Sequence, residues 1–370
     1  MRIALIAALG ALAAALPLPI GGAAQARFDE GTGISAAVGP PRRTVEFRGP
    51  TMGAAFSVKI ITGPAGLDSD TQRDVDRALR ARLDRIDRLM STWDTGSELS
   101  RFNQSTSLQP FPVSRETFEV LEWAVTLAAL TGGALDVTVA PLVDAWGFGP
   151  RGPRERRPSD GEIARLMEAT GAGRIALDAA ALTVRKTRAE VQCDLSALAP
   201  GYAVDRLWAE LADRGFTDFL VDVGGELRAA GRNGRGEPWA IAIDRPQEKS
   251  DDVQRVVPLS GLAIATSGDY RRYREVDGQR VTHIVDPRTG RPLLHRLASV
   301  TVVDELAVRA DGLATALMVL GSEEGIVLAE KLDLAALFIE RTDSGFAEHA
   351  TPRFTEITSK DVTRMPRLRH

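Results

Sequence analysis

Asp311 and Thr315 stand four residues apart in Val308-Arg309-Ala310-Asp311-Gly312-Leu313-Ala314-Thr315-Ala316-Leu317-Met318-Val319-Leu320-Gly321, whose apolar residues recur at helical spacing. In a helix that separation puts both side chains on one face, one turn apart. A carboxylate and a hydroxyl so placed offer the oxygen ligands that a hard cation such as Mg²⁺ takes, usually together with substrate phosphates. The same spacing suits a plain helix start, with Asp311 complementing the dipole and Thr315 bonding back along the backbone. Upstream, Thr266-Ser267-Gly268-Asp269-Tyr270 follows the apolar run Leu262-Ala263-Ile264-Ala265 and reads as a strand closing in a polar turn. Beyond a charged hairpin around Asp277-Gly278, His283 stands in a strand-like run that meets an Asp286-Pro287 turn. Its unperturbed pKa lies nearest neutrality, which makes it the natural candidate for proton transfer; a strand-end histidine satisfied by local backbone is the alternative. Cys193 reads as a buried strand residue rather than a nucleophile, since no histidine is near it in sequence.

These groups need elements to hold them. Thr44 to Phe47 and Ala55 to Ile61 alternate like strands around Gly49-Pro50-Thr51-Met52-Gly53, a turn whose glycines allow close backbone approach. Asp68 to Met90 is an amphipathic helix with Val75, Leu79, Leu83, Ile86 and Leu89 on one stripe. It leads into a polar loop carrying Trp93, and Ser97 starts a fresh helix. Ser114 caps a helix that stops at Gly132-Gly133. In the segment that follows, Asp136 and Thr138 alternate with apolar residues as on one face of a short extended run. Asp160 to Thr170 is helical, and short strands lead to Cys193. Pro200 fits the first turn of a helix running to Arg214, where its missing donor costs little; a helix start after a Ser- and Gly-bearing turn is also a place where phosphate binds. Thr217 to Val223 is a strand broken by Gly224-Gly225, with a hairpin through Arg232-Asn233-Gly234 beyond it. Trp239 to Ile243 and Val253 to Pro258 are strands, Ser322 to Leu332 a helix and Ala335 to Ile339 a final strand. Helices and strands mix without a βαβ repeat, and there is no Gly-x-Gly-x-x-Gly or P-loop, so a Rossmann enzyme or P-loop kinase is disfavoured.

The 370 residues carry 46 basic and 50 acidic side chains, a formal net charge of −4, which gives no nucleic-acid footprint. A single cysteine excludes an intrachain disulfide. Met1-Arg2, the apolar run Ile3 to Ile20 and Ala24-Gln25-Ala26 read as a secretory signal over residues 1–26; the run's length permits an uncleaved anchor as the alternative, though Pro17, Pro19 and Gly21-Gly22 break it before its far flank. No later segment reads as apolar enough to cross a bilayer. The expected organisation is a signal (1–26), an extended arm (27–43), one domain (44–345) and a polar tail (346–370), with a periplasmic destination.

Several segments together resemble the ApbE family of FAD:protein FMN transferases. They are Thr51-Met52-Gly53, Met90-Ser91-Thr92-Trp93-Asp94 with Ser97 to Asn103, Gly133 to Thr138, Asp194-Leu195-Ser196 through Gly201 to Asp205, Gly224-Gly225-Glu226, Ala265 to Tyr270, His283 to Pro287 and Ala310 to Thr315. They occur in the family's order and cover most of the chain after the signal. The resemblance implies an α+β fold, with mixed sheets flanked by helices in an ApbE-like, T-fold-like architecture. It implies an exported enzyme that binds FAD with Mg²⁺ and moves FMN onto a threonine of a target flavoprotein, releasing AMP. Asp311, Thr315 and the carbonyl of Ala197 would hold Mg²⁺, and Asp311 and His283 would serve catalysis. Met52, Trp93, Ala134, Leu135, Asp136, Asp194, Pro200 and His283 would line the FAD site. Trp93 stands where tyrosine is common in the family, and Pro200 where lysine or glutamate is common. Some relatives only bind FAD, some hydrolyse it, and some mature one respiratory flavoprotein, as NosX does in nitrous-oxide respiration. A monomer is expected, with peripheral membrane association allowed and nucleic acid excluded.

Overall fold

A computed structural model describes residues 42–359, apart from 155, 248–251, 271–272 and 277–278. The expected signal, nearly all of the arm and the last part of the expected tail lie outside the described residues. Its centre is an eight-stranded sheet. In spatial order the strands are Arg43–Thr51, Ala54–Thr62, Phe219–Val223, Glu226–Ala230, Ala263–Gly268, Leu297–Asp304, Ala335–Thr342 and Gly345–Ala350, and every neighbouring pair is antiparallel. The helices are α1 (Ser69–Met90), α2 (Glu98–Gln104), α3 (Arg115–Leu130), α4 (Ala140–Ala145), α5 (Asp160–Met167), α6 (Ala199–Asp213), α7 (Ala307–Lys331) and α8 (Pro352–Ser359).

Alternation along the strands separates two cores. Phe56, Val58 and Ile60, with Val221, Val223, Ala263, Ala265, Val300 and Val302, face α1, α6 and α7. Leu220, Leu227, Ile264, Val303 and Ile339 face the other way, onto the hairpin Trp239–Asp244/Val253–Leu259 and α8. Val75, Leu79, Leu83, Ile86 and Met90 form the buried stripe of α1, whose N-terminus is closed by the Asp68 carboxylate accepting from the Asp70 and Thr71 amides. At the tip of the first hairpin Met52 and Gly53 both have positive φ, 47° and 69°, the conformation that a two-residue turn between twisted strands requires.

Four expectations change at this level. The turn at Asn233 does not join paired strands: Glu226–Ala230 pairs with Phe219–Val223 and Ala263–Gly268, while among the described residues Trp239–Asp244 pairs only with Val253–Leu259. Thr266 to Gly268 continue their strand, because Leu297–Asp304 supplies partners as far as Ser299. Residues 345–359, most of them assigned to a polar tail, form an edge strand and α8, whose Phe354 and Ile357 complete the second core. Finally, α7 is long and apolar enough to cross a membrane, yet it lies against the sheet as a core helix and bends at Gly321, φ 75°. The His295 imidazole donates to the Met318 carbonyl (2.9 Å) at that bend.

Where α6 crosses α7 the two backbones come very close. A Cβ on Gly201 would sit 2.5 Å from the Ala307 carbonyl oxygen and 2.8 Å from the Val308 Cα. One turn further along α6, Asp205 accepts from the Ala307 and Val308 amides, each at 3.0 Å, and from Arg228 at 2.8 Å. The first amides of α7, which no turn of its own can satisfy, are thus capped from a neighbouring helix. Gly201→Ala forces backbone apart and is expected to destabilise the protein by about 1–3 kcal/mol, read as a lower denaturant midpoint at unchanged slope.

Candidate functional site

The crossing delivers Asp311. Its carboxylate, 6 % exposed, accepts the Gly201 amide at 3.0 Å. A Cβ on Gly312 would meet the Leu127, Leu198 and Leu135 side chains at 2.5, 2.7 and 3.3 Å, so glycine there lets those residues close over the same turn. Burial first, and then the charge of Glu226, push Asp311 well above the usual carboxylate range, while the Gly201 amide pulls the other way. Among the described residues, no arginine or lysine is one of the groups that set it. One turn on, the Thr315 hydroxyl lies 2.8 Å from that of Ser267. It reaches across to the sheet, which decides against the reading of a threonine tied back to its own helix.

Among the described residues no group of three His, Cys, Asp and Glu side chains is placed to hold a metal. A cation here would take hydroxyl, backbone and substrate oxygens beside Asp311, the pattern of a magnesium site rather than of zinc. The chemistry of the donors fits: a buried carboxylate with an acidic neighbour is eased by positive charge.

The expected lining residues on the α6 side assemble next to this turn. Ala134, Leu135 and Asp136 are buried, and the Asp194 amide donates to the Val137 carbonyl at 2.7 Å. Asp136 does not sit in an extended run with Thr138. Its carboxylate takes the Thr138 amide (2.8 Å) and hydroxyl (2.6 Å), and that local bonding curls residues 137–139 into a 3₁₀ turn. Burial raises its pKa and the Thr138 bonds hold it down. The Asn103 amide clamps the backbone of Cys193, donating to its carbonyl at 2.8 Å and accepting its N–H at 2.7 Å. Cys193 is buried as expected but belongs to no strand; the clamp replaces a ladder, and burial pushes its thiol up to about 12. Asp194 in turn accepts from the Ser196 amide (2.9 Å) and hydroxyl (2.5 Å), shaping the turn that carries Ala197 into α6 with Pro200 in its first turn.

Met52 occupies the tip of the first hairpin, beside the Gly224-Gly225 turn, whose Gly224 amide donates to the Ala55 carbonyl at 2.9 Å. Trp93 is 66 % exposed on the loop between α1 and α2. That loop is pinned by the Ser97 and Ser100 hydroxyls, which both donate to the Ser91 carbonyl. His283 stands on the segment next to the α4–α5 cluster, with its ring edge-on to Phe148 at 6.4 Å between centroids. Glu226 and Ser267 lie inside longer sequence motifs that give neither a role of its own; proximity to Asp311 and Thr315 is what singles them out.

The model of the ApbE family matches residues 52–338 of this chain. A curated FAD:protein FMN transferase from Vibrio cholerae is 44% identical over 321 residues, covering 86% of this chain and 94% of the relative. One from Escherichia coli is 38% identical over 308 residues, covering 83% and 87%. The chain belongs to the ApbE family. The solved flavin transferase ApbE of Vibrio cholerae superposes with a TM-score of 0.78 at 42% identity, over 86% of this chain and all of that one; the apo form of the flavinyl transferase ApbE of Pseudomonas stutzeri gives 0.78 at 38% identity, over 86% and 98%. The expected ApbE-like α+β architecture of sheets flanked by helices is therefore the observed one.

One acid shapes the ApbE site from behind the sheet. Asp222 accepts the Gly225 amide at 3.1 Å and so fixes the turn that ends in Glu226; burial raises its carboxyl to about 7, against the opposing pull of the Gly225 bond and Lys59. An acid whose pKa is higher folded than unfolded stabilises the fold while both states are protonated, and that contribution is lost as pH rises from the unfolded value of 3.8 to about 7. Asp222→Asn keeps the acceptor and removes the titration. The variant should match the native protein near pH 4 and exceed it in stability by a few kcal/mol above pH 7, since each tenfold difference in proton affinity between the folded and unfolded states is worth about 1.4 kcal/mol. Denaturant unfolding across that range checks the sign.

Proposed function

We propose that this protein moves the FMN portion of FAD onto a threonine side chain of an acceptor flavoprotein, with Mg²⁺ bound and AMP released. One observation carries the reading: Asp311, buried and beside Glu226 with no cationic side chain among the described groups that act on it, sits one turn from Thr315 in a chain that matches FAD:protein FMN transferases along most of its length. Asp311, Thr315 and the Ala197 carbonyl would hold the cation. When bound, Mg²⁺ neutralises charge on the pyrophosphate oxygens.

The chain's own residues supply the rest. Trp93 offers an exposed ring for the flavin to stack on, in place of the tyrosine common in relatives. Met52, the Ala134-Leu135-Asp136 turn, Asp194 and the Pro200 turn would line the remainder of FAD; proline at 200 gives neither the charge of a lysine or glutamate nor a backbone donor, so its share is shape alone. His283 would take the proton of the acceptor hydroxyl as its oxygen bonds to the FMN phosphorus and the bond to the AMP oxygen breaks. Export belongs to the same proposal. The signal-like residues 1–26 direct the chain to the periplasm, where its acceptor is an exported or membrane-bound flavoprotein.

The test is incubation of the protein, freed of residues 1–26, with FAD, Mg²⁺ and an acceptor domain. A gain of one FMN mass on the acceptor with stoichiometric AMP is expected. Free FMN and AMP without an adduct would make it an FAD pyrophosphatase, and intact FAD a flavin-binding maturation protein. Asp311→Ala should lower the transfer rate roughly 10²–10³-fold, the several kcal/mol that a metal's charge contributes, with a smaller loss of FAD affinity. For His283→Asn at saturating FAD a loss of roughly 10²–10⁴-fold is expected, together with loss of the native rise of rate with pH. A profile unchanged from about pH 6 to 9 removes the general-base role.

A further inference from the structure

Ser267 reaches Thr315 because of where the strand Ala263–Gly268 puts it. Ala263 and Ala265 belong to the core on the α7 side and Ile264 to the opposite one, so by the two-residue period Ser267 shares the α7 face. Small residues at 263 and 265 let the helix lie close to the sheet, and the Ser267 Oγ meets the Thr315 Oγ1 at 2.8 Å. On the other face of the same strand Thr266 pairs with Thr301, also at 2.8 Å.

A hydroxyl has one proton and two lone pairs. A threonine inside a helix ordinarily spends its proton on the carbonyl one turn back. Thr315 lies within hydrogen-bond distance of a second hydroxyl instead. If Thr315 gives a lone pair to a cation beside Asp311, its proton must point away from the ion, and the acceptor in reach is Ser267. We infer that Ser267 is a positioning residue for this site: it accepts the Thr315 hydroxyl proton and leaves the Thr315 lone pairs for the metal. The inference rests on the cation reading of Asp311 and Thr315 given above. Serine serves because its hydroxyl oxygen can accept this bond; alanine leaves the Thr315 hydroxyl free to rotate and to turn its proton toward the ion.

Calorimetric titration of Mg²⁺ into the FAD-bound protein separates the possibilities, with metal-free FAD affinity and thermal unfolding measured alongside. Ser267→Ala should weaken Mg²⁺ roughly 10-fold or more, the size of effect found when a partner of a metal ligand is removed, while FAD affinity without metal stays at the native value. Ser267→Thr, which keeps a hydroxyl and suits a strand, should recover most of the lost affinity. Native-like Mg²⁺ affinity in Ser267→Ala overturns the inference, including the case where its melting temperature falls, since that outcome marks a strand-to-helix tie and nothing more. Equal weakening in the alanine and threonine variants overturns it as well. Asp311→Ala serves as the control for the parent reading: if it binds Mg²⁺ as tightly as the native chain, the cation site itself is wrong and the role of Ser267 falls with it.

Discussion

The crossing of α6 and α7 is the contact on which the rest of the site depends. Two helices approach at Gly201 to a distance that any side chain would prevent, and the approach brings two backbone ends under the control of side chains from the other helix. Asp205, on α6, caps the start of α7; Asp311, on α7, holds the Gly201 amide in the first turn of α6. Each helix therefore fixes where the other begins. The turn before α6 and the segment at Ala134 to Thr138 follow, because Leu198 and Leu135 pack into the space left by Gly312.

The two buried carboxylates at this crossing show how the same residue type divides into structural and functional roles. Burial raises the pKa of both. Asp205 is compensated on every side, by the two amides at the head of α7 and by the Arg228 guanidinium, which itself lies over the Trp208 ring. A buried charge with that many partners holds structure and has little left to offer a ligand. Asp311 has one backbone donor and an acidic neighbour in Glu226. Its charge is therefore left with far less compensation than that of Asp205.

A second division runs through the sheet. Strand residues facing α1, α6 and α7 are apolar and buried until the end near Ser267, where the face turns polar. The turns at Met52-Gly53 and Gly224-Gly225 end at that same edge, joined by the Gly224 to Ala55 bond. Glycines at such turns cost little in stability and leave the backbone bare where a ligand can come near. The residues read as flavin contacts are thus carried by turns and helix ends, while the strands and long helices supply the frame that holds them.

Local chemistry made much of this chain legible in one dimension. The caps at Ser97 and Ser114, the apolar stripe of α1 and the break at Gly321 follow from propensity, capping and period, and they stand where those rules put them. The pairing of Asp311 with Thr315 was readable for the same reason: a helix fixes the geometry of residues four apart. Family membership was readable because its motifs recur in order along the chain. What the sequence left open depends on partners distant in the chain. Asp136 and Thr138 alternate as in a strand, but a side chain that satisfies its own backbone overrode the pattern. Cys193 reads as a strand residue, yet its backbone pairs with Asn103, ninety residues earlier, instead of a ladder. The polar-looking residues 345–359 became an edge strand and a helix because the second core had room for Phe354 and Ile357. Glu226 and Ser267 gained their meaning only when hairpin and helix met. Electrostatic coupling and hydroxyl pairing act over a few ångströms in space, and only the tertiary fold decided which residues stand that close.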